Sequence, residues 1–246
     1  MRQLIPVFVL FVFCTSATGA EVNVAVAANF SAPMKRIAVE FEKSTDHKAV
    51  ISVGATGKFY AQIKNGAPFD VLLSADVDTP AKLEKEGFAS PGTRFTYATG
   101  RLVLWSANPT LVDDKAAVLM RHDFKRLAIA DPKLAPYGTA AIQVLTKTGL
   151  LKLLQPKLVT GGSIGQAFNM VSTGNAELGF MAMSQVFEDG HLRSGSAWVV
   201  PANLHSPLRQ DAVLLARGIA NPAALQLLIF LKSGQARAIM NSFGYE

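Results

Sequence analysis

Valines at positions 22, 24 and 26 alternate with polar or small residues, the period-two pattern of a strand, and the small residues Ala27 and Ala28 end it. Phe30, Met34, Ile37 and Phe41 then recur at helical spacing and form one apolar face, with Asn29 or Ser31 placed to cap and Pro33 suited to a first turn. The same plan repeats at once. Residues 49–53 read as a strand, 54–57 as a turn of small residues, and 58–65 as a helix. A buried strand follows over 69–73, ended by Ser74-Ala75-Asp76, and Thr79-Pro80 starts a helix that runs through Glu86.

Residues 94–107 form a long strand-like run broken by Gly100, which reads as a crossing into a second region. That region offers strands at 127–130, 157–160, 177–183 and 197–200, with a helix over 139–148 and another from the glycine-rich turn 161–165 through Ser172. The apolar segment 211–216 is expected to return to the first region as a strand, before a helix built on Leu225, Leu228 and Leu231 and a short helix over 235–242. Strands alternating with helices predict parallel sheets flanked by helices, and ligands of such sheets bind outside the carboxyl ends of the strands. A chain that leaves one region and comes back predicts an α/β protein of two lobes joined by a two-crossing hinge. The expected limits are 21–97 with 208–246 for lobe I and 98–207 for lobe II.

Composition changes this picture little, with one exception at the start. Half of the 246 residues are hydrophobic, enough for substantial cores. Met1-Arg2, an apolar run from Leu4 to Phe13 and the small polar set from Cys14 to Ala20 read as a secretory signal peptide over 1–20, too short to span a membrane. The compartment expected from it is the periplasm. Its removal takes away the single cysteine and Arg2, so the formal charge falls from +6 to +5. The basic residues are dispersed and not interleaved with aromatics, which argues against nucleic acid. No phosphate-binding GxxxxGK[ST] loop occurs, so no nucleotide hydrolysis is expected.

Chemistry-bearing residues are sparse. His47, His122, His191 and His205 show no paired metal-ligand spacing, and no two carboxylates share a turn in a way that suits acid/base work. Gly161-Gly162-Ser163-Ile164-Gly165 matches the G-x-S-x-G nucleophile elbow, and Asp189 and His205 follow in the hydrolase order. Ser163 is explained more simply as a helix cap paired with Gln166. The secreted serine hydrolase is therefore the lesser reading.

The turns at the strand ends make the stronger pattern. Asn29 can offer a side-chain amide, Thr56 a hydroxyl and a backbone N–H, Ala75 a backbone N–H, and Tyr137 and Ile164 backbone N–H groups at helix starts. None carries a charge. Neutral donors at positive helix ends suit a fully ionised small oxyanion.

With Ala27-Ala28-Asn29-Phe30, Gly54 to Lys58, Asn65 to Asp70 with Ser74-Ala75-Asp76, Asp131-Pro132 with Pro136-Tyr137-Gly138, Gly174 to Gly179 and Gln210 to Val213 taken together, the chain resembles the periplasmic molybdate-binding proteins of ABC transporters. The resemblance implies a type II periplasmic-binding-protein fold, closing on molybdate or tungstate through the oxyanion's oxygens, with no direct metal ligand and no cofactor. It carries the site to Asn29, Thr56, Ala75, Tyr137 and Ile164. It also marks a departure: Ala182 stands where some members place a tyrosine, leaving one donor missing or supplied by Tyr137. The implied partner is the inner-membrane permease of the transporter, and the implied state is a monomer. Sulfate or another tetrahedral oxyanion is the alternative ligand.

Overall fold

The computed structural model describes residues 19–246, so the expected signal peptide lies outside the described residues except for Gly19 and Ala20. In chain order the first part contains β1 (Glu21–Ala27), α1 (Ser31–Thr45), β2 (Lys48–Gly54), α2 (Thr56–Lys64), β3 (Val71–Leu73), α3 (Asp78–Lys85) and β4 (Phe95–Gly100). Next come β5 (Leu102–Ser106), α4 (Ala117–Arg121), β6 (Leu127–Ala130), α5 (Pro136–Lys147), α6 (Leu151–Leu154), β7 (Leu158–Gly161), α7 (Ile164–Ser172), β8 (Leu178–Ala182) and α8 (Met183–Val186). The small hairpin of β9 (Phe187–Glu188) and β10 (His191–Leu192), then β11 (Ser196–Val199), β12 (Leu208–Leu214), α9 (Pro222–Leu231) and α10 (Gly234–Ser242) complete it.

Two five-stranded sheets result, in the orders β2-β1-β3-β12-β4 and β11-β5-β8-β6-β7. β1 runs parallel to β2 and β3, and β6 runs parallel to β7 and β8, as βαβ connections require. The expected crossing resolves into two strands of different sheets. β4 ends at Gly100 in the first sheet and β5 begins at Leu102 in the second. The return lands in β12, which lies antiparallel between β3 and β4.

Phe30, just ahead of α1, and Met34, Ile37 and Phe41 on its face are fully buried, and they pack with Leu227 and Leu231 of α9 on one side of the first sheet. Phe59, Ile63 and Leu83 cover its other side over Leu72 and Val213. Full burial of each such side chain contributes about 1.5–3 kcal/mol, so the sheet is clamped from both faces. Phe69 lies outside β3, because its N–H bonds the Ala67 carbonyl two residues back rather than a neighbouring strand. Pro136, expected in a loop, is the first residue of α5, where its missing N–H costs nothing.

Candidate functional site

Each βα turn delivers backbone N–H groups that have no acceptor inside the following helix. Four of these turns meet at the seam between the sheets. Asn29 leads into α1 after β1, Thr56 opens α2 after β2, Tyr137 is the second residue of α5 beyond β6, and Ile164 opens α7 after β7. Together with Ala27, Ala28, Gly54, Ala55, Ala75, Ala135 and Pro136 they line one cavity, which admits the centre of a water-sized sphere over about 10 Å³. The five residues expected from sequence, Asn29, Thr56, Ala75, Tyr137 and Ile164, are thus brought to one place.

The wall carries no charged side chain. The N–H groups of Asn29, Thr56, Tyr137 and Ile164 find no acceptor among the described residues. Two come from each sheet, so the cavity is a place where positive helix ends oppose one another across the seam. An uncharged wall with convergent N–H dipoles attracts a compact anion and offers a cation nothing.

Two donor groups differ from expectation. Asn29 lines the cavity, but its side-chain Nδ2 donates to Gln210 Oε1 at 2.8 Å and to the Tyr245 hydroxyl at 3.0 Å, so both amide protons are already used. Its backbone N–H is the free group. Likewise the Ala75 N–H donates to Thr56 Oγ1 at 3.0 Å. Ala75 therefore orients the threonine hydroxyl, whose acceptor side is taken and whose own proton is left to donate.

Behind the cavity lies a buried polar cluster that sequence reasoning missed. Gln210 Oε1 accepts from Asn29 and from the Tyr97 hydroxyl at 2.9 Å, while its Nε2 donates to the Tyr137 hydroxyl at 3.2 Å. Tyr97 also reaches the Ser74 carbonyl at 3.0 Å. A register shift between Gln210 and Asp211, which skips Tyr97 of β4, sits at this spot. Gly100 makes room, since a Cβ there would lie 2.0 Å from the Tyr137 hydroxyl and 2.6 Å from Gln210 Nε2. Burial pushes the Tyr245 phenol up to about 12 and those of Tyr97 and Tyr137 well above the usual value, so all three are neutral hydroxyls at ordinary pH. The Tyr137 hydroxyl is engaged there, and Ala182, which donates its N–H to Gln185 Oε1 at 3.0 Å, is not part of the cavity wall.

Charge appears only beyond the wall. Asp76 accepts from Ser74 Oγ at 3.0 Å and from the Thr79 N–H at 2.9 Å, and burial raises its carboxyl above the usual range against these hydrogen bonds. A groove of about 950 Å³ that includes Asn29 and Ala28 opens beside the cavity, with Lys35 and Arg193 on its sides.

The nucleophile-elbow reading fails on geometry. Ser163 Oγ accepts from the Gln166 N–H at 3.2 Å and caps α7. Gln166 Oε1 in turn takes the Gly162 N–H at 2.7 Å. His205 Nδ1 contacts the neighbouring Ser206 carbonyl, Asp189 donates its N–H to the Ser242 carbonyl, and no hydrogen bond joins either residue to Ser163. Among the described residues no group of His, Cys, Asp and Glu is placed to hold a metal ion, and no helix is long and apolar enough to cross a membrane.

Comparison with known proteins agrees with this architecture. Residues 22–246 match the family model described as bacterial extracellular solute-binding protein. The molybdate-binding protein ModA of Azotobacter vinelandii is 59% identical over 230 residues, covering 94% of this chain and 91% of that protein. ModA of Rhodobacter capsulatus is 52% identical, covering 93% and 89%. The solved Azotobacter vinelandii periplasmic molybdate-binding protein superposes with a TM-score of 0.89 at 44% identity, covering 92% of this chain and 98% of that one. The expected periplasmic-binding-protein fold, two α/β sheets with flanking helices, is the one these relatives share. With the family model matching from the first strand to the final residues, the chain belongs to the bacterial extracellular solute-binding proteins.

Proposed function

We propose that this protein captures molybdate, and tungstate with it, between two lobes in the periplasm and delivers it to the permease of an ABC importer. One observation carries the reading: a small cavity with no charged wall residue, into which unpaired N–H groups of Asn29, Thr56, Tyr137 and Ile164 converge from both sheets. Backbone dipoles and a threonine hydroxyl stabilise a fully ionised dianion and offer no acceptor to a protonated one. The relatives named for molybdate, at 59% and 52% identity, support the choice of ion, and their names describe binding rather than catalysis.

In this reading residues 21–100 with 208–246 form one lobe and 101–207 the other, with joints at Arg101 and over 200–207. The observed strand pairing, in which residues 98–100 belong with β12, favours 100 over the expected limit at 97. Each lobe carries half of the donors, so the ion binds the closed arrangement better than the open one and shifts the population towards it. The groove with Lys35 and Arg193 gives the anion an electrostatically favourable approach.

Isothermal titration of ligand-free protein with molybdate, tungstate, sulfate and phosphate in parallel tests this. One-to-one binding of molybdate and tungstate with sulfate and phosphate silent is the expected result. Preference for sulfate would transfer the site to another tetrahedral oxyanion, and silence from all four would remove the oxyanion reading.

A further inference from the structure

Tyr245 belongs to the segment after α10, far in sequence from every turn of the cavity, yet its hydroxyl reaches Asn29 from behind the cavity wall. It accepts from Asn29 Nδ2 at 3.0 Å, lies 2.9 Å from the Asn29 carbonyl oxygen as a donor, and lies 3.0 Å from Ser184 Oγ. Ser184 Oγ donates to the same Asn29 carbonyl at 2.6 Å. Asn29 belongs to the first sheet's side, whereas Ser184 follows β8 of the second. One phenol therefore fixes Asn29 at both its side chain and its carbonyl, and ties it to the opposite half of the molecule.

The segment that carries Tyr245 is itself anchored at the crossing. Glu246 and Thr99 exchange two backbone hydrogen bonds, at 2.8 and 3.1 Å, which adds a strand-like pair to the edge of β4 just before Arg101. Gly244, at φ +79, packs against Met183, whose N–H bonds the Arg101 carbonyl. The ring of Tyr245 meets Phe30 edge to face at 5.3 Å and is 4% exposed.

We propose that Tyr245 is a positioning residue for the oxyanion: by holding both the side chain and the carbonyl of Asn29 it fixes the Cα from which the Asn29 N–H is aimed into the cavity, and it couples that placement, through Ser184, to closure of the second lobe. This rests on the oxyanion reading of the cavity. Its consequence is that a group outside the cavity wall governs how long the ion is retained. With its side-chain amide and its carbonyl both held, Asn29 cannot shift and carry its N–H, which belongs to the preceding peptide, away from the cavity. Without the phenol the carbonyl is held by Ser184 alone, and that bond breaks as the lobes part.

The test is Tyr245→Phe, which keeps the ring and removes only the hydroxyl, measured beside Ser184→Ala and the double variant. Molybdate affinity is expected to fall about tenfold in Tyr245→Phe, the net worth of roughly one hydrogen bond. The loss should sit in the dissociation rate, followed by fluorescence of Trp105 and Trp198 in stopped flow. The double variant should bind no worse than about the weaker single one, because both hydroxyls act on the same carbonyl. A merely structural role would lower the ligand-free melting temperature and leave additive effects on affinity, which overturns the inference. Wild-type affinity in Tyr245→Phe, with wild type binding molybdate, overturns it as well and leaves the binding function standing. A wild type that ignores all four oxyanions overturns the functional reading and this inference together.

Discussion

Thr56→Val removes one hydroxyl from the cavity wall while keeping the branched shape. Thr56 is 2% exposed, and its Oγ1 accepts from the Ala75 N–H at 3.0 Å and, more distantly, from Ser74 Oγ at 3.5 Å, leaving its proton for the proposed anion. Losing a hydrogen bond to a charged group costs about 1.5–3 kcal/mol, which is a fall in molybdate affinity of about 10- to 150-fold. The second effect is on the empty protein. The Ala75 N–H, 3% exposed, would face a methyl group, and an orphaned buried donor costs about 1–3 kcal/mol. At this chain length 2 kcal/mol moves the melting temperature by about 4–8 °C. Thr56→Ser retains the hydroxyl and should lose little in either measurement. Titration calorimetry of the three proteins, with thermal melts without ligand, separates the effects. Molybdate binding by folded Thr56→Val as tight as by wild type would refute the donor role. A melting temperature unchanged in Thr56→Val would refute the claim that Thr56 satisfies Ala75.

Three further outcomes are expected. Gly100→Ala puts a methyl 2.0 Å from the Tyr137 hydroxyl, so it should destabilise by at least about 1–3 kcal/mol and loosen molybdate binding, read by urea unfolding and calorimetry. Arg94→Met leaves the Asp211 carboxylate, 1% exposed, with only Thr96 Oγ1 at 2.6 Å in place of the guanidinium at 2.7 Å; as Arg94 is partly solvated the cost should be about 1–3 kcal/mol by urea unfolding. Alkaline stability follows from the tyrosines. The folded state holds the phenol proton of Tyr245 up to about 12 against an ordinary value near 10, so the stability it supports is complete below pH 10 and is lost as pH rises from 10 through 12. Phenolate absorbance should therefore show Tyr97, Tyr137 and Tyr245 silent until the fold yields, and early titration of all four tyrosines would contradict their burial.

Much of the candidate site was legible because it is built from local signals. The α1 face announced itself by spacing, and small residues at strand ends marked where helix starts could approach a ligand. These signals lie within a few residues of one another, so one sequence contains them. Which atom does the work was less legible. Nothing in the string around Asn29 says that Gln210 and Tyr245 take its amide, because those partners arrive from 181 and 216 residues away. The Thr56 hydroxyl intercepts the Ala75 N–H across 19 residues for the same reason. Boundaries failed where one hydrogen bond decided them, as at Phe69, or where Pro136 served as a helix opener rather than a loop residue.

The place of β12 in the middle of the first sheet also has a kinetic consequence. Leu73 pairs with Ala212, so this ladder joins residues 139 apart in sequence, and the loop between them contains the entire second sheet. Such a non-local contact cannot form until most of the chain exists, and its closure entropy is smallest once the intervening segment has collapsed. The second sheet, complete within residues 102–199, is then the natural nucleus, and the first sheet waits with one edge of β3 open and β4 unpaired. Pulse-labelled hydrogen exchange should find amides of β5 and β8 protected before those of β4 and β12. A chain that completes its first sheet last keeps that half open through most of its synthesis, which would suit the passage to the periplasm proposed for it.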